Sequence, residues 1–232
     1  MIGTLITSDT LQPARRSTDA VYAQLKQHIL DNRYPPGAQI LESEIAAELD
    51  ASRTPVREAF VRLQQEGLLE IVPRHGVRIS ALSPGDMREI YEVLMSLEPT
   101  AVELLARRKP DRAELAGLIA SCDAMEAALE GTPDLQAWAA ADEAFHLNLA
   151  RLCGNKRLAG MIMQVWDQAH RARMFTLSLR PLPVQSTAEH RAVVEAILAG
   201  NVERAREIYH EHRKRGGLEL TTIIERHGIQ RL

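Results

Sequence analysis

The sequence predicts a mostly α-helical protein in which a small unit of helices and a hairpin is followed by an all-α bundle of about six helices. Aromatic residues make up only 4% of the 232 residues, whereas Ala, Leu, Glu and Arg are abundant, which favours packed helices over aromatic-rich strands. Strand patterns are confined to the first eighty residues, and the rest has helical periodicity. The chain is 45% hydrophobic, enough for one large core or two modest ones.

The first eighty residues contain signals for three helices and a hairpin. Apolar residues at helical spacing, from Val21 to Ile29, predict a first helix that "NRYPPG" ends. The segment "ESEIAAEL" predicts a second, joined by a tight turn to a third whose N-cap is Ser52. Pro55 then falls in the first turn, where its missing N–H costs no intrahelical bond. Finally, "LLEIV" and "VRIS" predict two strands joined by "PRHG".

Three helices with a tight second turn and a hairpin make an N-terminal winged helix-turn-helix. In such a unit the start of the third helix enters the DNA major groove, where guanidinium groups bond guanine edges or phosphates. Arg53, Thr54 and Arg57 project from that start, and Arg74 and His75 lie at the hairpin tip. Two arginines four residues apart are more often a solvated helix face, so the prediction depends on the whole pattern.

Charge is distributed unevenly along this unit. Residues 17–50 hold two basic and six acidic side chains, whereas residues 51–79 hold five arginines and three glutamates. The net charge of −3 argues against a protein that coats nucleic acid indiscriminately. The local excess of arginine supports DNA contact by the third helix and the hairpin.

The pattern divides the chain into four parts. Residues 1–16 are predicted to be a flexible arm, residues 17–80 the winged helix-turn-helix, residues 81–86 ("ALSPGD") a linker, and residues 87–232 a helical effector-binding and dimerisation domain. The N-terminus has the pattern of neither a signal peptide nor a twin-arginine leader, and no segment has membrane length. Two cysteines without regular spacing indicate neither a disulfide framework nor a cysteine zinc site. We therefore expect a cytoplasmic protein without a membrane partner.

Helical stripes organise the second domain. The first helix has its stripe on Tyr91, Leu94, Leu97, Ala101 and Leu105. The breaks "EGTPD", "CGN", "RPLP" and "GN" separate the later helices. These are predicted at residues 111–130, 134–152, 155–178, 184–199 and 201–227.

Four polar residues interrupt the apolar stripes of this bundle: Asp142, His146, His190 and His212. Their burial without partners would be costly, so they are predicted to pair with one another or with an ion. One carboxylate and three imidazoles suit Zn, Ni, Mn or Fe, and the i, i+4 spacing lets Asp142 and His146 reach the same metal. Hydrogen-bonded core histidines remain the alternative. His210 shares its face with charged residues and is predicted to be solvated.

Residues 20–80 resemble the GntR family of bacterial regulators. The resemblance rests on "PPGAQILESEIAAEL", "SRTPVREAFVRLQQEGLL" and the hairpin "RHGVRIS". It implies that Arg53, Thr54 and Arg57 contact a double-stranded operator, and that His75 and Gly76 of the wing reach the minor groove.

Two departures limit that transfer. Asp50 occupies a turn position where the family usually has glycine, and Ser43 stands where some members carry a further DNA-contacting arginine. The operator sequence is therefore not transferable.

The second domain looks like the FCD effector domain of the FadR subfamily, over residues 84 to about 215. The similarity is carried by "DEAFHLNLARLCGNKRL" and "EHRAVVEAILAGNVERAREIYHEH", with their Asp-x-x-x-His pair and two later histidines. It implies a homodimeric repressor whose helical cavity holds a divalent metal, zinc being the metal expected as purified, near a bound carboxylate metabolite. Ligand binding would change the relative placement of the DNA-binding heads.

One departure concerns the effector. The first helix of the family domain often carries an arginine that helps to hold an acidic ligand, but here Leu94 takes that position. Arg171 and Arg173 are candidates to replace it, although surface exposure is the commoner outcome for arginines. Together with Tyr91 and Leu94, they are the predicted effector-binding residues.

Three other functions are alternatives to a metal-assisted sensor of acids. A helical metalloenzyme fused to a DNA-binding head needs a general base beside the metal. Glu143 lies about 100° around the helix from Asp142, and no HExxH signature occurs, so we expect no enzyme. The others are a regulator without metal and a regulator that senses the metal itself.

Overall fold

The structure is a computed structural model that describes residues 17–81 and 83–228, so the predicted arm at residues 1–16 lies outside the described residues. The described part contains nine α-helices, one 3-10 helix and three short strands. This confirms the mostly α-helical fold. In chain order the elements are α1 (Thr18–Leu30), β1 (Gln39–Ile40), α2 (Glu42–Glu48), α3 (Arg53–Gln65), β2 (Leu69–Val72), β3 (Gly76–Ile79), α4 (Pro84–Arg107), α5 (Ala116–Ala127), α6 (Leu135–Leu152), α7 (Lys156–Phe175), the 3-10 helix η1 (Leu177–Leu179), α8 (Val184–Leu198) and α9 (Val202–Arg226).

The backbone contacts divide the chain into two compact units. One holds the described residues up to Gln27 and Gln39–Arg78, and the other holds His28–Ala38 and the described residues from Ile79 onward. The domain limits predicted from the sequence, at residues 17–80 and 87–232, are not tested by this division and stay a prediction. Within the second unit, α4 begins at Pro84, so the predicted linker already contains the first turn of a helix.

The helices of the first unit are built around a tight turn. Asp50 in that turn has a φ of 46°, a left-handed conformation that favours glycine. The next helix begins as predicted, with Ser52 at the N-cap in an extended conformation and Pro55 in the first turn. Its inner face buries four apolar side chains, which are Val56, Ala59, Phe60 and Leu63.

A third strand, which the sequence did not predict, completes the hairpin. The strand order is β1-β3-β2, and β1 pairs antiparallel with β3, placing Gln39 opposite Arg78. Gly76, with a φ of 80°, begins β3, and a Cβ there would lie 2.2 Å from the carbonyl oxygen of Ile40. The close approach of β1 therefore requires glycine at position 76, independently of any contact with DNA.

The first long helix of the second unit, α4, begins with a capping box. The Ser83 hydroxyl accepts a hydrogen bond from the Asp86 N–H, and the Asp86 carboxylate accepts one from the Ser83 N–H. Asp86 is thus the reciprocal partner of the N-cap residue Ser83, three residues inside the helix.

Two predicted helices are shorter in the structure. α5 begins at Ala116 rather than at residue 111, because Asp111 and Glu114 accept each other's backbone N–H groups and hold a turn there. α7 ends at Phe175, and its extension to residue 178 is replaced by η1.

The larger core lies among the helices of the second unit. Its buried apolar residues come from α4, α5, α6, α7, α8 and α9, and they include Leu105, Met125, Phe145, Ile162, Val193 and Tyr209. Among the described residues, no helix is both long enough and apolar enough to cross a membrane.

Candidate functional site

The first unit presents the predicted DNA-contacting side chains on the outside. Arg53 and Thr54 are the first two residues of α3, and both are exposed, as are Arg57 and the turn residues Arg74 and His75. A cleft of about 810 Å³ between this helix and the hairpin brings several of them together. Its lining includes Arg53, Arg57, Arg74 and Gly76.

Arg57 is held in place by an acidic residue of the preceding helix. Its Nε donates to Glu42 Oε2 over 2.7 Å, although the Arg57 side chain is 71% exposed. The other carboxylate oxygen, Glu42 Oε1, is buried and has no hydrogen-bond partner among the described residues. The guanidinium of Arg57 is therefore oriented through its Nε.

In the second unit, three of the four predicted ligands form a group that could hold a metal ion. His146 comes from α6, His190 from α8 and His212 from α9, all are buried, and one ring nitrogen of each lies within 4.8 Å of the others. Asp142, one turn before His146 on α6, is also buried. Its Oδ1 lies 3.5 Å from His146 Nε2 and 3.6 Å from His190 Nε2.

These separations match those between ligands of a small ion. With bond lengths of about 2.0–2.2 Å, two ligands of a tetrahedral zinc lie about 3.3–3.6 Å apart. His146 Nε2 and His190 Nε2 are 3.2 Å apart. Asp142 Oδ1 is buried and accepts no hydrogen bond from any described residue. Because a buried carboxylate oxygen needs a partner, this orphaned atom beside two imidazole nitrogens fits a cation.

Outer partners orient two of the three imidazoles. His212 Nδ1 donates to Glu189 Oε2 over 2.8 Å, which leaves its Nε2 lone pair for an ion. His146 Nδ1 lies 2.6 Å from the Tyr209 hydroxyl and 2.9 Å from Arg213 Nη2. A guanidinium can only donate, so binding an ion through His146 Nε2 requires Nδ1–H to use the Tyr209 oxygen as its acceptor.

The electrostatics favour neutral imidazoles beside an ionised carboxylate. Burial lowers the pKa of His146 and His190 well below the usual histidine value, and Arg213 and His212, respectively, lower it further. Burial alone would raise the pKa of Asp142, but Arg173 and the two imidazoles outweigh it and hold this pKa well below its usual range. Neutral imidazole and ionised carboxylate are the forms that bind metals.

Two buried arginines surround this group. Arg173 Nη2 donates to Asp142 Oδ2, and Arg213 makes a two-pronged ion pair with Glu98, of which the Nη2–Oε1 bond measures 2.6 Å. The Arg213 guanidinium also lies over the Trp166 ring, 4.9 Å from its centroid. Each positive charge is thus matched by a buried carboxylate.

A cavity of about 580 Å³ opens beside the histidines, and it includes only part of the predicted effector site. Tyr91, Arg173 and His212 line it. Leu94 does not, because it is fully buried in an apolar cluster of α4, α7 and α9. Arg171 does not either, because it is buried elsewhere and its Nη2 donates to the Ser80 carbonyl over 2.8 Å.

Three arginines of this cavity were missed by sequence reasoning: Arg180, Arg213 and Arg215. Arg213 directly follows His212, and this adjacency was the only sequence signal for it. Arg215 donates to Glu189, the residue that orients His212. Arg180 lies in "RPLP", which looks like a simple helix break.

Two family models match the chain. The model described as "FCD domain" matches residues 89–215, and the model described as "Bacterial regulatory proteins, gntR family" matches residues 17–79. These ranges contain, respectively, the histidine group and the cleft beside α3.

Individual proteins are similar over most of their length. A regulator from Agrobacterium vitis, described as an HTH-type transcriptional regulator in the TAR-I ttuE-ttuC' intergenic region, is 47% identical over 148 residues, or 63% of this chain and 85% of the relative. The "Probable D-xylose utilization operon transcriptional repressor" of Paenarthrobacter nicotinovorans is 35% identical over 187 residues, covering 79% of this chain and 80% of the relative. The solved structure of E. coli McbR/YncC has the same fold, with a TM-score of 0.78 and 22% identity over 88% of this chain and 97% of that one.

Proposed function

This chain belongs to the GntR family of bacterial regulatory proteins and regulates transcription, and we propose that it is a homodimeric repressor that a carboxylate metabolite releases from DNA. Its gntR-family domain implies DNA binding and its FCD domain implies a small-molecule effector. The relatives described above are named as transcriptional regulators, and one of them as a repressor, which supports a regulator rather than an enzyme.

The DNA-binding half of the proposal is supported by the exposed start of α3. Arg53, Thr54 and Arg57 lie on its first two turns without burial, as a base-reading helix requires. A two-fold symmetric dimer would present two such helices to a pseudo-palindromic operator. Arg74, His75 and Gly76 of the hairpin would then lie near the minor groove.

Replacement of Arg57 tests this half. If Arg57 bonds a base edge, Arg57→Ala costs about 1–3 kcal/mol of affinity for an operator selected from random duplexes. Fluorescence anisotropy on that operator and on a scrambled duplex measures the loss. Arg204→Ala is the matched control, because Arg204 is an exposed arginine on α9 in the other unit. Equal affinity of the Arg57 and Arg204 variants would remove Arg57 from the contact set.

The sensing half of the proposal rests on the orphaned Asp142 Oδ1, which lies 3.5–3.6 Å from two imidazole nitrogens. We infer that Asp142, His146, His190 and His212 hold one divalent ion, zinc being the expected metal as purified. The ion would supply a positive charge to which a carboxylate can bind. The chain supplies the orientation, through Glu189 on His212 and Tyr209 on His146.

His190→Ala tests the metal site, and His210→Ala is its matched control. Both are α-helical histidines, but His190 is 1% exposed and His210 lies on the surface. After dialysis against zinc and then buffer, elemental analysis should find about one zinc per chain in the wild type and in the His210 variant, and little in the His190 variant. Full occupancy of the His190 variant would exclude His190 as a ligand. An empty wild type would instead favour a metal-free sensor, in which the imidazoles of His146 and His190 hydrogen-bond each other over 3.2 Å.

Release by the effector is measured with the same proteins. A carboxylate at one hundred times its dissociation constant should stabilise the metal-loaded form by about 2.7 kcal/mol. Thermodynamic linkage makes this effect reciprocal. If the effector weakens operator binding by a given factor, the operator-bound protein must bind the effector more weakly than the free protein by the same factor. A carboxylate that binds tightly but leaves the operator affinity unchanged would contradict its role as the releasing ligand.

A further inference from the structure

The cavity beside the histidines contains an arginine without an acidic partner. Arg180 lies in the segment between η1 and α8, and its Nη2 donates to the backbone carbonyl of Arg173. Its Nε is buried and makes no hydrogen bond, and no ion pair joins Arg180 to a carboxylate among the described residues. The Nε–H of this guanidinium is therefore a donor to which the described residues offer no acceptor.

The other arginines of the cavity differ from Arg180 in this respect. Arg213 pairs with Glu98, Arg215 pairs with Glu189, and Arg173 pairs with Asp142. Arg173 nevertheless keeps one buried nitrogen, Nη1, without a partner. Unsatisfied donors therefore occur on both Arg173 and Arg180, and the backbone hydrogen bond places these two residues beside each other.

The Arg180 side chain is partly buried, and a guanidinium without a counter-charge is costly to keep away from water. Removing a cation from water costs several kcal/mol unless it is paired, so buried charges normally have partners. Burial and, to a smaller extent, the neighbouring Arg173 lower the pKa of Arg180 to about 10. A bound anion would reverse both effects by supplying acceptors and negative charge.

Arg180 lines the same cavity as His212, and the cavity is larger than one carboxylate requires. Its volume is about 580 Å³, and its walls between the polar groups include the apolar side chains of Trp138 and Leu177. Asp142, Arg173 and Arg180 also line a separate small recess. The arrangement suits a ligand with a polar group at each end of a short apolar or hydroxylated chain.

We propose that Arg180 and Arg173 bind a second acidic group of the effector, which is therefore a dicarboxylic acid. This inference rests on the proposed function, in which the first carboxylate lies at the histidine group. The planar fork of a guanidinium matches a carboxylate with two parallel hydrogen bonds, and Arg180 Nε is the free donor of such a fork. Leu94 lies outside the cavity, so its side chain does not line the site proposed for this ligand.

Calorimetric titration of the full-length zinc-loaded protein tests the proposal. The probes are malonate, succinate, glutarate, adipate, malate and tartrate, each compared with its own monomethyl ester, which keeps the chain length and removes one charge. We expect at least one diacid to bind the wild type ten times or more tighter than its ester. In Arg180→Gln this preference should fall to about twofold or less, because the ester and the diacid then lack the same contact.

Two further variants separate charge from folding. Arg180→Lys keeps the positive charge without the fork and should retain part of the preference for the diacid. Arg204→Gln, at an exposed site outside the cavity, should retain all of it. A wild type without any preference for diacids, or an Arg180→Gln variant that keeps the full preference with wild-type thermal stability, would overturn the proposal.

Removal of zinc distinguishes this proposal from the proposed function. If chelation abolishes the binding of both diacids and esters, the metal-bound carboxylate of the proposed function is supported. The effect of Arg180→Gln is then judged from the zinc-loaded protein alone. If diacids bind the stripped protein with an undiminished, Arg180-dependent preference, the arginine site stands and the metal-bound carboxylate of the proposed function is wrong.

Discussion

Gly217 on α9 packs directly against Tyr91 on α4, and its replacement by alanine should reveal how tightly these helices are joined. A Cβ at position 217 would lie 2.8, 2.9 and 3.1 Å from Cδ1, Cγ and Cβ of the Tyr91 side chain. The tyrosine is 5% exposed and belongs to an apolar cluster of the second unit. It therefore has little room to move away, and Gly217→Ala must separate the helices or displace the ring.

The neighbouring glycine provides the reference for the magnitude. A Cβ at Gly216 would lie 4.0 Å from Tyr91 Cε1, which is ordinary contact, so Gly216→Ala should gain the helix propensity of alanine, about 1 kcal/mol. Gly217→Ala gains the same propensity but adds overpacking, which costs about 1–3 kcal/mol. We therefore expect the Gly217 variant to be about 1–3 kcal/mol less stable than the Gly216 variant.

Thermal and urea unfolding followed by circular dichroism measure this difference. For a chain of this size, each kcal/mol corresponds to about 2–4 °C in Tm. Because Tyr91 lines the cavity, Gly217→Ala should also weaken binding of the best carboxylate found by calorimetry. Equal stability of the two variants would refute the packing argument, since they share the change in propensity.

Three further predictions concern the turn, the DNA-contacting face and the pH dependence. Asp50→Gly should stabilise the protein by roughly 1 kcal/mol in urea unfolding, because glycine adopts the left-handed φ of 46° without the strain that a side chain causes. A loss of stability would show that the contacts of the Asp50 side chain contribute more than this strain costs. Glu42→Gln weakens the ionic restraint on Arg57 and removes a negative charge near the proposed DNA-contacting face. Fluorescence anisotropy should therefore show tighter binding to scrambled DNA and a smaller ratio of operator affinity to scrambled-DNA affinity. An unchanged ratio would mean that Glu42 does not orient Arg57 for base reading. Burial, with a further contribution from Arg173, lowers the pKa of His170 to about 4, so the unfolded chain binds this proton first as the pH falls. Because of this residue, the free energy of unfolding should fall by up to about 1.4 kcal/mol per pH unit between about pH 6.5 and pH 4. In His170→Gln the free energy of unfolding should depend less steeply on pH over this range. An equally steep dependence would contradict the assignment to His170.

The parts of the fold that follow from local periodicity were predictable. Helical stripes and breaks located the helices of both units, and the i, i+4 spacing put Asp142 and His146 on one buried face of α6. The capping residue Ser52 and the first-turn Pro55 located the start of α3. Errors occurred at helix ends, as at Ala116, because side chain-to-backbone hydrogen bonds decide where a helix begins.

The pairing of distant segments was less predictable. β1 is two residues long and has no pattern of its own, and it exists because β3 offers its backbone groups to Gln39 and Ile40. The conformation of Gly76 follows from this pairing. No local signal distinguishes such a strand from a loop.

By itself the sequence determined the mostly α-helical class, the DNA-binding head and the set of four polar residues in the bundle, because helical periodicity and side-chain chemistry are local properties. Only the tertiary structure decided that Leu94 and Arg171 lie outside the cavity, and that Arg180 lies in it with no acidic partner in the part of the chain that the structure describes. Whether a charged side chain is paired depends on which residues of distant helices surround it. Partners such as Glu98 and Arg213, which are 115 residues apart in the chain, meet only when the bundle packs.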